Sequence, residues 1–177
     1  MAENEVWVFA EQEDGELNSV ALELLGKARE LADELGVSVG AVLLGHECRN
    51  LAADLTAHGA DSVYIADHST LKLYRTLPYA RAICDMIREY NPQIVIYGAT
   101  VIGRDLAPRI ASELQTGLTA DCTDLQIGDY DDPFTGKHHD QILYQIRPAF
   151  GGNVIATIVG PNHRPQMSTV RPGVMIR

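Results

Sequence analysis

The sequence is poor in positive charge, in cysteine and in long apolar runs, and each shortage narrows what it can do. Fourteen Lys and Arg stand against 24 Asp and Glu in 177 residues, a formal net charge of −10. A protein that grips a phosphate backbone needs a basic stripe, so the balance argues against nucleic acid as a partner. It argues equally against the anionic surface of a membrane. No apolar run approaches the roughly 18 residues needed to span a bilayer, so no membrane insertion is expected. The opening Met1-Ala2-Glu3-Asn4-Glu5 is acidic and lacks the basic start and apolar core of a secretion signal. The three cysteines, Cys48, Cys84 and Cys122, are far apart and odd in number. They make neither a disulfide framework nor a zinc-type pair, and read as buried thiols in a reducing cytoplasm.

What is present is an ordinary globular balance, 46% hydrophobic and 21% charged, in a length that suits one domain. Val6 to Ala10 is almost wholly apolar and reads as a buried strand. Val20, Leu24, Ala28, Leu31 and Leu35 then recur at helical spacing, with Asn18 as cap and Gly36 as stop. Val37–Leu44, Ser62–Ala66 and Ile94–Tyr97 read as further strands. Helices are expected over Asn50–His58 and Leu77–Tyr90, the second ended by Asn91-Pro92. Strands separated by helices imply βαβ units and a mostly parallel, doubly wound sheet, a Rossmann-like α/β fold.

The second half changes character. A helix is expected from about Leu106 to Leu114, capped by Asp105, with Pro108 in its first turn. Leu118–Ile127, Gln141–Ile146 and Asn153–Val159 read as strands, the antiparallel ones extending the parallel sheet. From Pro161 onward the X-Pro steps predict an extended tail with few local contacts.

Three segments invite chemistry. Gly98-Ala99-Thr100-Val101-Ile102-Gly103-Arg104-Asp105 has the glycine spacing of a phosphate-binding loop, but Arg104 and Asp105 stand where Lys and Ser/Thr are required. It reads either as a plain βα turn or as an anion or cofactor contact through Arg104. Thr116 to Thr123 reads as a helix-to-strand connection, or as a backbone that a ligand approaches closely. Arg147 to Asn153 combines a fork-shaped donor with the Gly151-Gly152 turn. His138-His139-Asp140 reads as a solvated hairpin tip rather than a metal site. No hydrolase triad signature or HExxH is present.

These same segments carry a family resemblance. The run Gly98 to Arg109 resembles the central segment of the electron transfer flavoprotein alpha subunit. Thr116 to Thr123, Arg147 to Asn153 and Asn162 to Met175 strengthen the likeness, as does the opening Val6 to Glu11. The resemblance covers essentially the whole chain. It implies an N-terminal α/β domain over 1–160 and an extended arm over 161–177, leading to an FAD-binding domain that this sequence does not contain. It implies a heterodimer with a beta subunit, FAD in the intact complex, and AMP or a second FAD held mainly by the partner. It implies electron transfer between an acyl-CoA dehydrogenase or similar flavin enzyme and other acceptors, as in fatty acid β-oxidation. In bifurcating relatives, NADH is oxidised while ferredoxin is reduced. Flavin-facing roles carry over to Thr119, Asp121, Arg147 and the Phe150-Gly151-Gly152 backbone, with Arg104 as the contact from the βα turn. No catalytic or metal-binding residue is expected. The alternative is a stand-alone nucleotide-binding module of universal-stress-protein type.

Overall fold

The computed structural model describes residues 4–149 and 154–175. β1 (Val6–Phe9) runs into a small hairpin, β2 (Gln12–Glu13) and β3 (Glu16–Leu17), and then α1 (Ser19–Leu35). β4 (Val39–Gly45), α2 (Ala52–Ala57), β5 (Ser62–Asp67), α3 (Thr76–Tyr90), β6 (Ile94–Gly98) and α4 (Val101–Leu114) follow. The rest is strand: β7 (Leu118–Cys122), β8 (Asp124–Asp131), β9 (His138–Pro148), β10 (Ile155–Ile158) and β11 (Gln166–Val170). Six strands form a parallel sheet in the order β5-β4-β1-β6-β11-β7, with Val8 opposite Ala41 and Ile96.

The sheet is covered on both faces, which is why its central strands are apolar throughout. Val6, Val8, Leu43, Ile94 and Ile96 pack beneath α1 with Leu24, Leu25 and Ala28. Trp7, Phe9, Val42, Val95 and Tyr97 face α3 and α4 with Ile83, Leu106 and Ile110. Each such fully buried Leu, Ile or Val contributes roughly 1.5–3 kcal/mol. Helix ends follow the expected chemistry. Asn18 accepts a hydrogen bond from Val20 N, and Gly36 stops α1 at φ 68°. Asn91 ends α3 in the left-handed region at φ 51°.

Four expectations are corrected. First, α4 begins at Val101, capped by Thr100 rather than Asp105, so Pro108 lies inside the helix and not in its first turn. Second, the Leu118–Ile127 segment is two strands in two sheets, β7 and β8, broken at Thr123. Asp121 there takes φ 59°, a left-handed conformation at the register shift of β7 against β11, one residue before β7 ends at Cys122. Third, the antiparallel strands form their own sheet, β10-β9-β8, which packs on the α1 side through Leu125 and Leu143. Fourth, the tail is not an arm of few contacts from residue 161. β11 is fully buried, inserted between β6 and β7. Two of its polar side chains find partners, Thr169 Oγ1 accepting from Asp121 N and Gln166 Oε1 from Leu143 N, while the buried Ser168 hydroxyl finds none among the described residues.

Candidate functional site

Ligands of open parallel sheets bind outside the carboxyl ends of the strands, where strand order reverses. Here the reversal lies between β1 and β6, since the chain builds outward through β4 and β5 before crossing to β6. Glu11 and Thr100 stand at that crevice. Glu11 is 6% exposed. Its carboxylate accepts from Thr100 Oγ1 at 2.5 Å and from Asn18 Nδ2 at 2.9 Å. Both donors are themselves helix caps, Asn18 for α1 and Thr100, through Gly103 N, for α4. One buried carboxylate thus ties together the N-termini of two helices, where negative charge is favoured. It holds the place that a phosphate takes in a nucleotide-binding loop.

The glycine spacing of this turn has a packing cause. A Cβ at Gly103 would lie 1.8 Å from the Gly98 carbonyl oxygen, so only glycine lets the first turn of α4 seat on the end of β6. Sequence reasoning gave Glu11 no role. Its one signal was its place, two residues beyond β1.

Further along the same edge, β7 and β11 bring several predicted residues together. Arg104 on α4 pairs with Asp121 on β7 at 3.1 Å. Arg171 N donates to Cys122 O and Ala99 N to Val170 O, closing the edge between β6, β11 and β7. Cys122 is wholly buried. Burial pushes its thiol up to about 12, and the nearby Arg147 guanidinium pulls the other way. A thiol held neutral in this way is no nucleophile. Arg147 stands near the end of β9, and its charge reaches Cys122.

Arg147 is half-buried. Among the described residues its side chain makes no ion pair and no hydrogen bond, and every other Lys or Arg without an ion pair is exposed. Thr119, two residues before Asp121, is 6% exposed, and its hydroxyl has no partner among the described residues. Phe150, Gly151 and Gly152 lie outside the described residues.

The hairpin between β8 and β9 gathers Asp129, His138 and Asp140, all exposed, with ligand atoms within 4.8 Å of one another. Asp131 and Asp140 both engage His138, at 2.6 and 2.9 Å, and these hydrogen-bonded carboxylates raise its pKa. Among the described residues, no helix is long and apolar enough to cross a membrane.

Known proteins are similar to this chain in sequence. The electron transfer flavoprotein domain, as a family model, matches residues 6–176. The electron transfer flavoprotein subunit alpha of Thermoanaerobacterium thermosaccharolyticum is 57% identical over 173 residues, 98% of this chain and 49% of that protein. The subunit of the same name from Clostridium acetobutylicum is 57% identical over 169 residues, 96% of this chain and 48% of that one. The acryloyl-CoA reductase electron transfer subunit beta of Anaerotignum propionicum is 46% identical over 184 residues, 97% of this chain and 50% of that protein. The chain spans about half the length of these curated relatives. Matched from its first strand to beyond its last, the chain belongs to the electron transfer flavoprotein domain family.

Proposed function

We propose that this chain is the N-terminal α/β half of an electron transfer flavoprotein alpha subunit. It is a carrier with no substrate chemistry of its own, and it works in the cytoplasm paired with a beta subunit. Together they pass electrons from a flavin dehydrogenase, of the acyl-CoA dehydrogenase kind, to further acceptors. The residues after β11 lead toward an FAD-binding half, and AMP or a second flavin is held mainly by the partner. The relatives named for electron transfer support this reading.

The observation that carries it is Arg147. The chain has ten more acidic than basic residues, yet this half-buried guanidinium has no carboxylate on it among the described residues. Its planar fork fits the electron-rich carbonyl edge of a flavin ring. FAD, when bound, supplies the reversible uptake of electrons. Beside the ring, the half-buried Arg147 would favour negative charge on the flavin and so would raise its reduction potential. Asp121 is held by Arg104, and in sequence Phe150-Gly151-Gly152 follow Arg147 after Pro148 and Ala149. The nucleotide-binding alternative meets the Glu11 carboxylate at the crevice where its phosphates would lie.

Co-expression of an alpha subunit that carries this chain and its FAD-binding half with a beta subunit tests the reading. The expected result is one heterodimer that carries flavin absorbance and is reduced by a substrate-loaded acyl-CoA dehydrogenase. An isolated chain that binds AMP or ATP and recruits no flavin partner would overturn it.

A further inference from the structure

Two residues before Arg147, on the same face of β9, lies Gln145. It is 4% exposed. Its Oε1 is buried without a donor, and its side chain makes no hydrogen bond among the described residues. Native proteins seldom leave such a group unpaired without a reason. Gln145 lines a cleft of about 180 Å³ that also borders Gly117, Leu118, Thr119, Ile158 and Gly160. That is far more room than a single water needs.

Two further features mark the cleft. Thr119 contributes the unpartnered hydroxyl already described. Among the described residues no Asp, Glu, Lys or Arg lines it, in a chain of net charge −10, and His163 is the one titratable side chain on its wall. A charged guest would meet no carboxylate, ammonium or guanidinium there, so the lining suits a neutral guest. The wall formed by Leu118 and Thr119 belongs to β7, the last strand of the parallel sheet. Among the described residues the outer edge of β7 pairs with no other strand. An open edge presents a row of backbone donors and acceptors to any extended chain.

We propose that this cleft receives an extended peptide segment of the partner subunit, which adds a strand to the outer edge of β7. One of its peptide groups pairs with the Gln145 amide, which accepts from the N–H and donates to the C=O. An uncharged side chain fills the space between Leu118 and Ile158. Main-chain pairing gives the affinity and the neutral pocket gives the choice of side chain. That the segment comes from the beta subunit rests on the function proposed above.

Hydrogen exchange of the full chain, alone and in the heterodimer, is the test. Amides of β7 are expected to exchange at least tenfold more slowly in the complex. Gln145→Leu removes both unpaired polar atoms, so the chain stays folded while assembly weakens about tenfold, the scale of one or two hydrogen bonds. Gly117→Trp blocks the cleft from outside. Gly117 is exposed, and a Cβ there meets nothing within 4 Å, so the fold is spared while assembly weakens at least a hundredfold. A heterodimer that forms with wild-type affinity in Gly117→Trp and leaves β7 exchange unchanged overturns this inference and spares the subunit reading. Failure of the wild-type chain to form any heterodimer overturns both. A crystal structure of the complex with only ordered water against Gln145 also overturns it.

Discussion

Replacing Glu11 by Ala strikes the point where two helices and two strands are joined. The carboxylate accepts from Thr100 Oγ1 and Asn18 Nδ2, and it is 6% exposed, so little water can replace it. A hydrogen bond to a charged group contributes roughly 1.5–3 kcal/mol. A negative charge near a helix N-terminus adds about 0.3–1 kcal/mol. The two bonds share one acceptor and do not add fully, so the loss is about 3–5 kcal/mol. For a chain of this size that lowers the melting midpoint by roughly 6–20 °C. Glu11→Gln keeps one acceptor but turns an NH₂ toward the second donor, and loses about 2 kcal/mol. Urea and thermal unfolding, followed by far-UV circular dichroism, measure both. A loss below about 1 kcal/mol for Glu11→Ala would refute the claim that this carboxylate organises the crevice.

Other expectations follow from the same geometry. Gly103→Ala places a Cβ 1.8 Å from the Gly98 carbonyl oxygen, so unfolding experiments should show a loss of about 3 kcal/mol or more; a near-neutral result would contradict the packing. Asp61 accepts from Val39 N and pairs with Arg29, and the backbone bond first, then the guanidinium, hold its carboxyl below the usual range. Its stabilisation is present above the unfolded-state pKa and lost as pH falls through the lower folded-state value. The stability gap between wild type and Asp61→Asn should therefore close on acidification and stay constant at neutral pH, and a gap independent of pH would count against it. The gap stays small, because Asp61 is partly exposed and water screens the pair. All three cysteines are buried, and burial raises each thiol pKa. An aromatic disulfide reagent should find no thiol in the native chain and three after denaturation.

Much of the parallel core was legible because its signals are local. The apolar run of β1, the Asn18 cap and the Gly36 stop declare themselves within a few residues. β11 did not, because two of its five residues are Ser168 and Thr169, both completely buried, and a proline precedes it. Those side chains read as surface until the sheet supplies their neighbours. The start of α4 was misplaced because Gly103 looks like a loop residue, and only contact with the end of β6 makes it helical. The register shift just before the break between β7 and β8 rests on one left-handed residue, Asp121, a type that tolerates this conformation without requiring it. At the candidate site, motif likeness picked out Arg147, but only the fold shows that no carboxylate among the described residues meets it. Gln145 carried no sequence signal and Glu11 only its place after β1, since being buried, paired or unpaired is a property of the assembled chain.

The reduction potential of the flavin in the heterodimer, measured with Arg147 and with Arg147→Ala, tests the central claim most directly. A fixed cation at the ring edge, partly screened, should shift the one-electron equilibrium about tenfold, so its removal lowers the potential by about 59 mV. Arg147→Lys should recover part of that shift, because the charge stays while the fork is lost. An unchanged potential in Arg147→Ala, with the heterodimer intact, would remove Arg147 from the flavin and contradict the account.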